Sequence, residues 1–296
     1  MLAVFFVAAS LVSDVRSLIA AHDFADADRD IRSVQASQGG TPEVAAALSW
    51  MARGELEARQ YDRADSYAME TRKLADALLK NHKLDAEPFL QTAVGASIEV
   101  HAQALAARGE RPDAVEFLRG QSTLFAGTTL SERIRKNINL LSLEGHAAPA
   151  LDEIEYLGSK PVSLASLKGH PVLLFFWAHW CSDCKAEVAI LAQLRREYAP
   201  QGLVVIAPTR LYGYAANGQD ATPAAEKNYI EQIRQRYYAD LADVPAPLSA
   251  ANFITYGAST TPTLVLIDRT GIVRYYHPGA LAQAELSARI QSILKK

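Results

Sequence analysis

Cysteine is nearly absent. The 296-residue chain has two, at positions 181 and 184, which excludes a framework of several structural disulfides and a four-cysteine zinc site. Long apolar runs are missing as well: residues 1–12, MLAVFFVAASLV, fall short of a membrane span. Charge of one sign is not in excess, with a formal net of −3, and no basic run or basic-aromatic interleaving offers a footprint for nucleic acid. What remains, 49% hydrophobic and 21% charged, is the composition of a globular protein long enough for two domains.

The stretch that carries chemistry is VLLFFWAHWCSDCKAE, from Val172 to Glu187. Its first six residues form a short apolar run of the kind that makes a buried strand, and a helical pattern begins at Lys185. Cys181 and Cys184, in Cys-x-x-Cys spacing, therefore fall in the first turn of a helix. Free amides and the positive end of the helix dipole stabilise a thiolate there, so Cys181 is the candidate nucleophile and Cys184 the candidate resolving thiol. A structural staple, or a metal site completed by two of the seven histidines, are the competing readings.

FFWAHWCSDCKAE resembles the strand, active-site loop and helix of the thioredoxin superfamily, and is most similar to its TlpA/ResA branch of thiol-disulfide oxidoreductases. The resemblance covers residues 147–296 and implies a thioredoxin-like α/β fold. Thr261-Pro262-Thr263 stands before an apolar run, as the family's cis-proline loop stands before its strand, and Gly279 follows a last strand-like stretch at 272–277. Glu187 falls where the branch keeps an acidic residue near the dithiol. The resemblance implies no bound cofactor, a disulfide-bearing protein substrate and a thiol electron donor. It assigns Cys181, Cys184 and Glu187 to catalysis, with Trp180, Thr261 and Pro262 contacting substrate. In that mechanism Cys181 attacks the substrate disulfide, and Cys184, deprotonated with help from Glu187, resolves the mixed disulfide.

The chain also departs from the family. The inner pair is Ser182-Asp183, without the usual proline, and the charge of Asp183 opposes stabilisation of the Cys181 thiolate. This points to a reductant or mild exchanger. Phe175 occupies the position of the buried acid of thioredoxins proper. Ala178 and His179 stand where a peroxidase of peroxiredoxin type needs a threonine. Trp177 reads as core; His179 reads either as a group tuning Cys181 or as a solvent-facing side chain; Lys185 reads as solvated or as a cation near the site.

Residues 14–146 read as helical throughout. HDFADAD at 22–28 and RQYDRAD at 59–65 align, and ARGERPDA at 107–114 is a weaker third copy. These resemble degenerate tetratricopeptide-type helix hairpins, which read equally as a concave face holding a peptide or protein partner and as a unit that caps the redox domain or dimerises. The alternative function is accordingly a helical-repeat binding module on a thioredoxin-like platform. Expected helices cover residues 15–21, 25–35, 42–59, 63–79, 88–107, 112–118 and 130–143, and the linker falls near Gly145 to Pro149. Residues 1–13 read as a secretory leader without its positive flank, which would place the protein in the periplasm or outside the cell; as a buried helix they would leave it cytoplasmic. In the second half, residues 154–157 and 162–163 read as a hairpin, 203–207 as a buried strand, and 209–222 as an irregular loop at a strand end, either a solvated glycine-rich insertion or a substrate contact where α/β sheets place ligands.

Overall fold

A computed structural model describes residues 10–294. The chain divides into two compact units, one ending at Asn137 and the other starting at Ile138. The division precedes the Gly145 to Pro149 stretch because Leu140 and Leu143 pack in the core of the second unit, and the Gly145 and His146 backbones hydrogen-bond to Val273.

The first unit is helical: α1 (Leu11–Ala20), α2 (Phe24–Gln38), α3 (Pro42–Glu57), α4 (Tyr61–Leu78), α5 (Pro88–Ala107), α6 (Arg111–Leu124) and α7 (Ser131–Ser142), the last running into the second unit. Starts follow local chemistry. Asp23 caps α2, and Thr41 caps α3 with Pro42 at its first position.

One turn recurs between α1 and α2, α3 and α4, and α5 and α6. His22, Arg59 and Gly109 each take a left-handed conformation, with φ of 61°, 59° and 94°. The next amide then reaches back five residues: Asp23 N–H to the Leu18 carbonyl, Gln60 to Glu55, Glu110 to Leu105, at 2.8–3.0 Å. This is the Schellman closure of a helix C-terminus. Five residues past each left-handed position the chain needs a small residue, because the second helix folds onto the first there. Ala27, Ala64 and Ala114 have no exposure. The segments that align in sequence are these turns and the helix starts that follow them.

The second unit runs β1 (Tyr156–Leu157), β2 (Val172–Phe176), α8 (Ser182–Tyr198), β3 (Val204–Ile206), α9 (Pro223–Tyr237), β4 (Ala246–Pro247), α10 (Ala250–Tyr256), β5 (Thr263–Ile267), β6 (Val273–Pro278) and α11 (Gln283–Leu294). Four strands form a sheet in the order β3-β2-β5-β6, with β2 parallel to β3 and antiparallel to β5, and β5 antiparallel to β6. The two-residue period of strands divides their side chains. Leu173, Phe175, Leu264 and Leu266 face the core shared with Leu191 of α8 and Ile290 of α11. Val172, Leu174, Phe176 and Val265 face the core shared with Phe253 and Tyr256 of α10. With helices on both faces, β2 is buried along its whole length. The fold is thioredoxin-like.

The expected hairpin does not form. Ile154 is 93% and Val162 51% exposed, so the two arms have no apolar face to bury together. Instead β1 pairs with β4, about ninety residues on, in a separate two-stranded ladder. Among the described residues no helix is long and apolar enough to cross a membrane. Of the leader reading, residues 1–9 lie outside the described residues; Ser10 caps α1, and Leu11 begins it.

The recurring turn gives a test. Arg59 bears a left-handed cost that Gly109 does not, so Arg59→Gly should stabilise the protein by about 1 kcal/mol and Gly109→Ala destabilise it by about as much. Urea unfolding followed by circular dichroism measures both.

Candidate active site

The site is built where β2 ends. Trp177 is tied to the end of β3 three times: its amide donates to the Pro208 carbonyl (3.1 Å) and its indole to the Ala207 carbonyl (2.9 Å), and its own carbonyl accepts from Thr209 Oγ1 (2.9 Å). The ring packs on Tyr238, in the core as its sequence context implies. With the strand end anchored, the chain turns through Ala178 to Trp180, and Cys181 caps α8.

Cys181 and Cys184 are joined as a disulfide, with Cα atoms 5.3 Å apart. The Cys184 amide donates to Cys181 Sγ at 3.0 Å, so a free N–H of the first helical turn points at the candidate nucleophile. Exposure is unequal: 4% for Cys181 and none for Cys184. Cys181 Sγ also lies 3.4 Å from the Thr261 carbonyl oxygen. The Thr261-Pro262 peptide is cis. The Pro262 carbonyl accepts the Gly279 amide at 2.7 Å, and Gly279, with φ of 110°, takes a conformation reserved for glycine. The structure thus gathers Cys181, Cys184, Thr261 and Pro262 at one place.

Glu187 follows Cys184 by three residues and shares its helix face. Only 2% of it is exposed. One carboxylate oxygen accepts the Leu281 amide at 3.1 Å, and the other has no hydrogen-bond partner. Burial and, to a lesser extent, the charge of Asp183 push it up to about 7, against one stabilising bond from the Leu281 amide.

The flanking residues divide. Trp180 is 49% exposed beside Cys181, its ring edge-on to Tyr212 at 5.5 Å. Lys185 sets its ammonium 4.9 Å from the Tyr237 ring centre. His179 does not face solvent: it is 2% exposed, with Nε2 3.4 Å from Glu226 Oε1. Burial lowers its pKa, opposed by the Glu226 charge. Glu226 escaped the sequence reading, whereas Tyr212 belongs to the 209–222 loop, where that reading places either a substrate contact or a solvated insertion. A signal for Glu226 existed, since Glu226, Ile230 and Ile233 recur at i, i+4, i+7 and share the buried face of α9.

Residues 143–289 match the family model described as Redoxin. The chain is 29% identical over 150 residues to the thioredoxin-like protein YneN of Bacillus subtilis, covering 50% of this chain and 78% of that one. It is 32% identical over 136 residues to the thiol:disulfide interchange protein DsbE of Xylella fastidiosa, covering 46% of this chain and 61%, less than two thirds, of that one. It is 29% identical over 139 residues to the thiol-disulfide oxidoreductase ResA of Bacillus thuringiensis, covering 46% of this chain and 71% of that one.

The position of Glu187 makes stability depend on pH. In the unfolded chain the carboxyl ionises near its ordinary 4.5; in the fold it stays protonated until about 7. The unfolded state therefore holds fewer protons between those values, and stability falls as pH rises through that window, by roughly 3 kcal/mol in all. Urea unfolding of the oxidised protein from pH 4.5 to 7.5 should show this slope, and Glu187→Gln should flatten it.

Proposed function

We propose that this chain, whose residues 143–289 are a Redoxin domain of thioredoxin-like fold, is a thiol-disulfide oxidoreductase that reduces protein disulfides through Cys181 and Cys184. The observation that carries this reading is the dithiol at the start of α8, with the Cys184 amide 3.0 Å from Cys181 Sγ and Cys181 the more exposed of the pair, at 4% against none.

In the reduced protein the helix amide and dipole favour the thiolate form of Cys181. That thiolate attacks one sulfur of the substrate disulfide; the substrate S–S bond breaks, and its other sulfur leaves as a thiolate. Substrate lies along the Thr261-Pro262 loop and the exposed Trp180 ring in this mixed disulfide. Glu187, with a carboxyl near 7, takes the Cys184 proton. Cys184 then attacks Cys181 Sγ, releasing the second substrate thiolate and leaving the Cys181-Cys184 disulfide. Two electrons pass to substrate, and a thiol donor must return them. The exposed carboxylate of Asp183 in the first turn tempers the thiolate and fits a reductant. The apolar stretch at residues 1–12 and the absence of spare cysteines support a site of action outside the cytoplasm.

A second role is favoured by one feature of the helical unit. A cavity of about 350 Å³ is lined by Arg16, Ile19, His22, Trp50, Arg53 and Glu57. Arg16 and Arg53 both set their guanidinium groups over the Trp50 ring, at 4.4 and 4.5 Å. Burial and then the charge of Arg133 push Arg53 down to about 10, so a carboxylate brought to it would relieve an unfavourable field. The unit then serves as a dock for an acidic peptide segment of a partner.

Two experiments test these readings. The dithiol potential, titrated against glutathione with tryptophan fluorescence, should fall near that of thioredoxin, roughly −270 mV, and a value near roughly −120 mV would reject a reductant. In the same assay series Cys181→Ser should abolish disulfide reduction and Cys184→Ser should accumulate the mixed disulfide. For the helical unit, a Glu-rich peptide should bind the Cys181→Ser/Cys184→Ser protein, and Arg53→Gln should weaken that binding at least tenfold; equal binding to both proteins rejects the dock.

A further inference from the structure

Residue 179 lies in the short turn between β2 and α8, and its side chain enters the protein. His179 accordingly lies among three tyrosine rings, all edge-on: Tyr212 at 5.6 Å, and Tyr214 and Tyr229 at 5.4 Å each. Its Nε2 faces Glu226. A buried carboxylate is costly unless every oxygen is satisfied, and Glu226, 1% exposed, is satisfied by the loop that follows β3. Its Oε1 accepts the Tyr212 amide at 2.5 Å and its Oε2 the Gly213 amide at 2.8 Å. Two consecutive amides converge on one carboxylate because Gly213, with φ of 88°, turns the chain back.

The consequence lies on the outer side of that loop. With its amide fixed from within, Tyr212 presents its ring to Trp180 at 5.5 Å and to Phe253 at 6.4 Å, and Arg210 covers both Tyr212 and Phe253 at under 5 Å. Trp180 is the residue immediately before Cys181, and half of it is open to solvent. The wall beside the dithiol thus depends on a carboxylate carried by a different element, α9.

We propose that Glu226 is a positioning residue that pins residues 212–213 against His179 and so holds the Trp180-Tyr212 wall beside Cys181, where it selects substrate disulfides flanked by aromatic side chains. The aromatic class follows from the wall: two rings in edge-to-face contact offer a third a geometry that polar side chains cannot use. The inference rests on the disulfide-reducing reading above.

The test uses the full-length reduced protein and two peptides, each with one intramolecular disulfide, one carrying Phe and the other Ser beside the cysteines. The parent protein should reduce the Phe peptide with a kcat/KM about tenfold above that of the Ser peptide, through KM, a factor within reach of one aromatic pair. Glu226→Gln, which replaces one acceptor oxygen with a donor, should bring the ratio to about one by raising KM for the Phe peptide. Tyr212→Ala keeps the amide contacts and should remove the same preference. Failure of the parent to reduce either peptide would overturn the redox reading. Reduction of both without preference, or a ratio that survives both substitutions, would overturn the role of Glu226 and leave the redox reading standing.

Discussion

A single backbone amide aimed at a sulfur organises the second half of this protein. The Cys184 N–H reaches Cys181 Sγ only because α8 begins at that residue. The helix begins there because β2, buried on both faces, ends in a Trp177 bonded to the neighbouring strand end. The cis loop before β5 then brings the Thr261 carbonyl to the same sulfur from the opposite side. Helix and loop each supply one contact to an atom whose position the end of the sheet sets.

Two buried glutamates near this centre show how one residue type takes opposite roles. Glu226 has a backbone amide on each oxygen and an imidazole nearby, so its carboxylate is fully occupied with holding structure. Glu187 has one amide, and its second oxygen has no hydrogen-bond partner. The proton affinity of Glu187 reaches the physiological range because too few donors offset the cost of burying its charge. An incomplete hydrogen-bond set is thus what makes a carboxyl useful for moving protons.

Much of this architecture was legible in the sequence, because local rules decide it. The helices of the first unit start where prolines, capping residues and the aligned turn segments place them, within a few residues of expectation. The dithiol junction follows from an apolar run that gives way to a helical pattern. What escaped depends on distant partners. Residues 154–163 look like a hairpin from their own turn residues, but β1 finds its partner in β4, which no local pattern announces. His179 could be read as solvent-facing because its partner lies 47 residues away. Glu226 is masked by a polar identity on an otherwise apolar stripe, and becomes informative only when the stripe is traced through Ile230 and Ile233.

The unequal burial of the two sulfurs has a kinetic meaning. Cys184 has no surface at all, and Cys181 has a sliver. In the proposed mechanism, whatever delivers electrons must open the disulfide at the same atom that later attacks the substrate. Donor and acceptor therefore exclude each other, and no ternary complex can assemble at the dithiol. That mechanism forces turnover into alternating half-reactions, each visitor leaving before the next arrives, so donor and substrate compete for a single doorway even though they stand at opposite ends of the electron flow.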